Sequence, residues 1–179
     1  MKYVINNDSK LKAKRQGELD CLCGVYSIIN ATRYLYGSTS KQLFFDILLH
    51  LSERNQLYDV VTNGLYINDI GSILKHVVTP QFPTIKRSKP FYFNPNADLT
   101  TFWLKSQAFL NNHQGVVLLG LGGKHDHWTI STNITDKLIY LYDSGDLSWI
   151  SKKYCSTDEG IAKTHIIYPT LTYFLWIES

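Results

Sequence analysis

The hydrophobic spacing of this chain changes at Gly115, and that change limits the folds open to it. Before Gly115, apolar residues recur at helical intervals. Val25, Ile28, Ile29, Thr32, Leu35 and Tyr36 predict a helix over about 22–36, with Gly37 as its stop signal. Leu43, Phe44, Ile47, Leu48 and Leu51 predict a second, started by Ser38-Thr39-Ser40 and ending near Arg54. Ile67, Ile70, Ile73, Leu74 and Val77 predict a third that stops before Pro80. Asp98 is placed to cap a fourth, carrying Phe102, Trp103, Phe109 and Leu110.

After Gly115 the pattern is that of strands: Val116–Leu119, His127–Ser131, Leu138–Tyr142, Leu147–Tyr154, His165–Tyr168 and Thr172–Ile177. Shorter strands are expected at Tyr3-Val4-Ile5, Phe82–Lys86 and Phe91–Phe93. Helices followed by an antiparallel sheet define an α+β chain. At 179 residues it forms one domain, 1–179, with a helical half over about 1–112 and a sheet half over about 113–179. A groove between two such halves is a natural place for a site.

Composition excludes several classes of function. The formal charge is only +3, and the basic cluster Lys10–Arg15 contains no stacking aromatics, so it reads as a solvated loop and not a nucleic-acid surface. No apolar run is long enough to span a membrane, and Met1–Asp8 lacks the apolar core of a signal peptide. Three cysteines, two of them separated by one residue, do not form a secreted disulfide framework. The chain is expected to work in a reducing cytosol, either its own or that of a target cell reached without a cleavable signal peptide.

Within the first helix the informative stretch is Gln16-Gly17-Glu18-Leu19-Asp20-Cys21-Leu22-Cys23-Gly24-Val25-Tyr26-Ser27. It delivers Cys23 to a helix N-terminus, where the helix dipole and unpaired N–H groups favour a thiolate. Nucleophilic thiol catalysis also requires a base, a group to orient that base, and donors for the oxyanion. His127, at the start of a strand, supplies the base. Asp143, just past the next strand, supplies the orienting carboxylate. Gln16 offers a side-chain amide that could join the Cys23 N–H in an oxyanion hole. Each has a rival or a plainer reading. Cys23 could be a small buried core residue, Cys21 is the alternative thiol, His125 the alternative base, and Asp146 the alternative to a turn-forming Asp143. Trp128 reads as core before it reads as a cover over the catalytic pair. Cys21-x-Cys23 and His125-x-His127 also offer four ligands to zinc, although structural zinc sites usually space cysteines by about two to four residues.

Gln16-Gly17, a short loop, then Cys23-Gly24-Val25-Tyr26-Ser27 resembles the papain-like cysteine protease superfamily, as does the order Cys, His, carboxylate. The Cys-Gly pair, His127-Trp128 opening a strand and Asp143 at a strand end look like its small bacterial members: leader-processing peptidase domains and effector proteases and deamidases. Gln16 stands one residue further from the cysteine than is usual in that family. The resemblance implies a papain-like fold, Gln16 in the oxyanion hole, Cys23 as nucleophile and His127–Asp143 as the base pair, with no cofactor or metal. It implies a protease acting on a protein or peptide through a thioester, or alternatively a glutamine deamidase or transglutaminase acting on a protein of a host or rival cell. A catalytically silent binding module and a zinc-binding domain are the readings from other classes. Because no pro-segment is evident, a narrow substrate or an inhibitory or immunity partner is expected.

Overall fold

The structure is a computed structural model that describes residues 11–178. The expected strand at Tyr3-Val4-Ile5 lies outside the described residues. Helix α1 (Cys23–Tyr36) buries Val25, Ile28, Ile29, Thr32 and Leu35 along one stripe, and Gly37 closes it in the left-handed conformation at φ 76°. In α2 (Lys41–Glu53), Leu43, Ile47 and Leu51 are buried at four-residue intervals.

A short helix that the pattern did not announce follows. Helix α3 (Leu57–Asn63) is seven residues long and buries only Val60, too little for an apolar period to emerge. Helix α4 (Ile67–Ile73) does not end before Pro80. It continues through a π-helical turn, Leu74–Val78, into a final helical turn, α5 (Thr79–Gln81). The Thr79 N–H and hydroxyl both turn back to the Leu74 carbonyl, and Pro80 falls in the first turn of α5, where its missing N–H leaves no bond unmade.

Strand β1 (Ile85–Ser88) overlaps the expected one, but Phe91–Phe93 is a turn. Phe91 alone turns inward and stacks on Phe102 at 5.2 Å between ring centres, while Tyr92 and Phe93 face solvent. Proline on both sides of this segment keeps it out of a ladder. Helix α6 (Leu99–Asn112) is capped as expected: the Thr101 N–H donates to Asp98 Oδ1 at 2.7 Å.

The sheet is built from β2 (Gly115–Gly123), β3 (His127–Ile134), β4 (Leu138–Leu141), β5 (Trp149–Ser151) and β7 (His165–Ile177), with β1 at one edge. Its order is β1-β7-β2-β3-β4-β5, every neighbouring pair antiparallel; β6 (Cys155–Ser156) adds a short parallel pairing to β7. The expected Leu147–Tyr154 strand is cut to β5 because Lys152–Tyr154 coil into a 3-10 turn. The two expected C-terminal strands are one, interrupted by a bulge. Leu119 lies opposite Thr172, but Leu121 lies opposite Ile167, so residues 168–171 loop out across from Gly120. That bulge accommodates Pro169 within a central strand. A Cβ on Gly120 would sit 3.0 Å from the Cβ of Leu171, so glycine lets the bulge fold down onto the sheet.

The fold is α+β, but its helices are not confined to one side of the sheet. Val116, Leu118, Trp128, Ile130 and Leu175 pack with α1, α2 and α4 in one core. Val117, Leu119, Ile139 and Phe174 pack with Phe91, Phe102, Trp103 and Phe109 in a second. Helix α6 therefore covers the opposite face from α1, and the sheet is the middle of three layers. The unbroken burial of β2 from Gly115 to Gly122 is the sequence trace of a strand covered on both faces. Among the described residues, no helix is long and apolar enough to cross a membrane.

Candidate active site

Three segments distant in sequence meet at the N-terminus of α1. Cys23 is the first residue of that helix and is largely buried, at 9% exposure. Ser27, one turn on, donates through its hydroxyl to the Trp128 carbonyl at 2.7 Å and so fixes α1 against β3. The same pairing brings the Trp128 N–H to 3.5 Å from Cys23 Sγ, a donor aimed at the sulfur. The Trp128 ring is in the core, its Nε1–H bonded to the Leu65 carbonyl at 2.8 Å, as the core reading of this residue expected.

His127 opens β3. Its Nε2–H donates to Asp143 Oδ1 at 2.7 Å, which leaves Nδ1 as the free ring nitrogen, and the ring is within hydrogen-bonding reach of Cys23. Extending the Ser131–Leu141 register past β4 sets Asp143 opposite Thr129, on the same side of β3 as His127. Asp143 is 7% exposed, and its second oxygen accepts the Gly145 N–H at 2.8 Å. Burial raises the Asp143 carboxyl, but the hydrogen bond and charge of His127, then Thr129 and the Gly145 N–H, outweigh it and hold the pKa below the ordinary value. Burial likewise pushes His127 down, yet the Asp143 hydrogen bond and the neighbouring Cys23 prevail and lift it to about 9.

His127 is consequently an imidazolium at neutral pH, and stability is linked to it. Its pKa is raised on folding, so its contribution is complete below the ordinary value of 6.5 and is lost as pH climbs through about 9. The Asp143 contribution has the opposite sense: it is present above the ordinary 3.8 and lost as pH falls below it. Between pH 6.5 and 9.5 the melting temperature of the native protein is expected to drop more than that of His127→Gln, by roughly 5 °C or more, in thermal scans at matched ionic strength. Parallel curves would remove His127 as the linked group.

Gln16 is brought to the same groove. Its backbone N–H donates to the Ser144 carbonyl at 3.0 Å, which ties the segment before α1 to the turn carrying Asp143. Its side-chain amide lines the groove beside Cys23 and donates one hydrogen to the Asp20 carbonyl at 2.5 Å. Among the described residues, the Cys23 N–H donates to no protein acceptor. The rivals have other partners. Cys21 lines the same groove, but its Sγ turns to the Thr62 carbonyl at 3.2 Å. His125 stacks on His165, 5.4 Å between ring centres. Asp146 is exposed and pairs with Arg15. Cys155 is held as an unreactive thiol, burial pushing its pKa up to about 12 against a small opposing effect of Lys163. The two Cys-x-Cys and His-x-His pairs thus diverge, and among the described residues no three potential metal ligands gather.

The groove itself, about 560 Å³, is walled by residues outside the expected set. Gly64, Leu65 and Ile67 follow the unannounced α3, and Gly120, Tyr168 and Leu171 come from the β7 bulge and the strand facing it. Asn63-Gly64 is legible as a turn, but nothing local in the sequence says which surface that turn faces. Thr129, fully buried and beside the Asp143 carboxylate, was also missed. Its only sequence signal is its place two residues along the strand from His127. Comparison of the chain with protein-family models, curated proteins and solved structures finds no match among any of them.

Proposed function

We propose that this protein is a thiol hydrolase that opens an amide bond of a protein or peptide through a thioester on Cys23. The observation that carries the reading is the meeting in one groove of Cys23, at a helix N-terminus, with His127, which is hydrogen-bonded from behind to Asp143. The proton of the Cys23 thiol rests on His127 Nδ1 before substrate binds, and Cys23 Sγ attacks the acyl carbon. The carbonyl oxygen gains charge beside the Cys23 N–H and the remaining amide hydrogen of Gln16. His127 then passes its proton to the departing amine. Water, deprotonated by the same imidazole, opens the thioester and releases the acid. Asp143 keeps the Nε2 proton in place throughout, so that Nδ1 is always the nitrogen that exchanges it.

Limiting iodoacetamide at neutral pH, with mass mapping of all three cysteines, tests the reading. Cys23 is expected to be modified first, and more slowly in His127→Ala. Equal, slow modification of Cys21 and Cys23 would overturn it. Gln16→Ala is expected to slow acylation by carbobenzoxyglycine p-nitrophenyl ester by ~10²–10³, followed as nitrophenolate release. A change of less than threefold would remove Gln16 from the oxyanion site.

A further inference from the structure

The groove beside Cys23 has the opposite charge from the chain that forms it. The chain carries +3, yet the charged residues lining the groove besides His127 are Asp20 and Asp126, with no lysine or arginine among them. Asp126 is exposed and, among the described residues, forms no ion pair. It bears on Tyr168, whose hydroxyl also faces Glu159, so a third acid stands behind the same wall. Asp20 spends one oxygen on the Leu22 N–H at 2.9 Å, which orders the carboxylate without neutralising it. Arg15 pairs with Asp146 outside the groove lining, and Lys124, which bears on His125 and His165, is not among the lining residues either. A proton moved from Cys23 to His127 adds no net charge, and Asp143 adds one more negative group.

Beside polar Gln16, Asn63, Tyr66 and Tyr168, the groove has apolar walls. Leu65 and Ile67 stand on one side, and Leu171, seated on Gly120 by the β7 bulge, on the other. Apolar walls ending in unpaired carboxylates suit a side chain with a long aliphatic stem and a cationic tip. Confinement between low-dielectric walls focuses the field of Asp20 and Asp126 on whatever enters. We infer that the groove takes a polypeptide with a lysine or arginine beside the reacting amide, its stem on the Leu65–Leu171 walls and its charge answered by Asp126 and Asp20. An acidic residue there meets carboxylates with no lysine or arginine among the lining residues to offset them. This deepens the thiol-hydrolase reading and rests on it.

The charge preference of the groove can be measured with three small thiol reagents of one chemistry. In each, the Cys23 thiolate displaces methanesulfinate from sulfur and forms a mixed disulfide. Methyl methanethiosulfonate is neutral, the trimethylammonium-ethyl reagent is cationic and the sulfonatoethyl reagent is anionic. The Cys21→Ser protein leaves Cys23 as the accessible thiol, and every charged-reagent rate is divided by the neutral-reagent rate of the same variant. The cationic reagent is expected to outpace the anionic one at Cys23 by more than tenfold at low salt, with the ratio falling as salt is added. Asp126→Asn and Asp20→Asn, which keeps the acceptor for Leu22, are each expected to lower that ratio at least threefold. A peptide aldehyde ending in lysine should protect Cys23 from iodoacetamide at lower concentration than one ending in glutamate. A ratio unmoved by both substitutions, with Cys23 still reacting rapidly with the neutral reagent, would overturn the charge inference alone. Sluggish reaction with the neutral reagent as well would overturn the thiol reading and this inference with it.

Discussion

Under the proposed thiol chemistry, Cys23→Ala is expected to abolish turnover while the protein stays folded. Removing the nucleophile of a triad costs on the order of 10⁴–10⁶-fold in rate, because the remaining groups have nothing to act on. The structural cost is small by comparison. Cys23 is at the first turn of α1, and the buried stripe that holds the helix in place begins at Val25. The substitution strips the Trp128 N–H of its sulfur acceptor, worth about 1 kcal/mol, and removes one atom from a site that opens into a groove. Far-ultraviolet circular dichroism should therefore match the native protein and the melting temperature should fall by only a few degrees. A third readout separates loss of chemistry from loss of shape. Cys23 helps to hold His127 protonated, so the histidine pKa, followed by NMR, should fall below about 9 in Cys23→Ala. Retained turnover in Cys23→Ala with loss in Cys21→Ser would transfer the role to the other thiol.

The parts of this fold that could be read in advance are those with a local period. The stripe of α1, the spacing of α2 and the Asp98 cap each reflect forces acting within a few residues, and each lies where the sequence indicates. The catalytic candidates were legible for the same reason: Cys23 at a helix start, His127 at a strand start and Asp143 at a strand end are local positions. What could not be read depends on which surfaces meet. The periodicity of α6 says that it buries Phe102 and Phe109, but not that it does so on the face opposite α1. The groove walls show the same limit. Leu171 reaches Gly120 because the β7 register slips between Leu119 and Leu121; Pro169 marks an interruption there, but not the residue of the facing strand on which the bulge settles. The run through Pro80 depends on a single π turn, closed by the bonds that Thr79 makes back to the Leu74 carbonyl. Gln16 lies between the two cases. Its residue type and neighbourhood were legible, whereas the bond from its backbone to Ser144 that carries it to the groove is a contact across the whole chain.

His127→Ala should be almost as damaging as loss of the thiol. In the proposed mechanism the imidazole has three tasks: it accepts the thiol proton, protonates the leaving amine and later activates water, so its removal affects every step. Acylation by carbobenzoxyglycine p-nitrophenyl ester is expected to fall by ~10³ or more, and amide cleavage by more, since an amine leaves only when protonated. The smaller loss for the ester is itself diagnostic of a lost proton donor. Fold disruption alone would lower both reactions together. Asp143→Asn gives the complementary test. Asparagine can still accept the Gly145 N–H through its carbonyl oxygen, but it turns an amide N–H toward His127 Nε2. The histidine must then carry its proton on Nδ1, facing a thiol that still holds its own. Activity should fall by roughly 10²–10⁴ in a protein of near-native melting temperature. Alkylation of Cys23 at neutral pH should slow in parallel and recover as pH is raised enough to ionise the thiol without help. If Asp143→Asn alkylates as fast as the native protein at neutral pH, the His127–Asp143 hydrogen bond is a structural contact and the base acts without it.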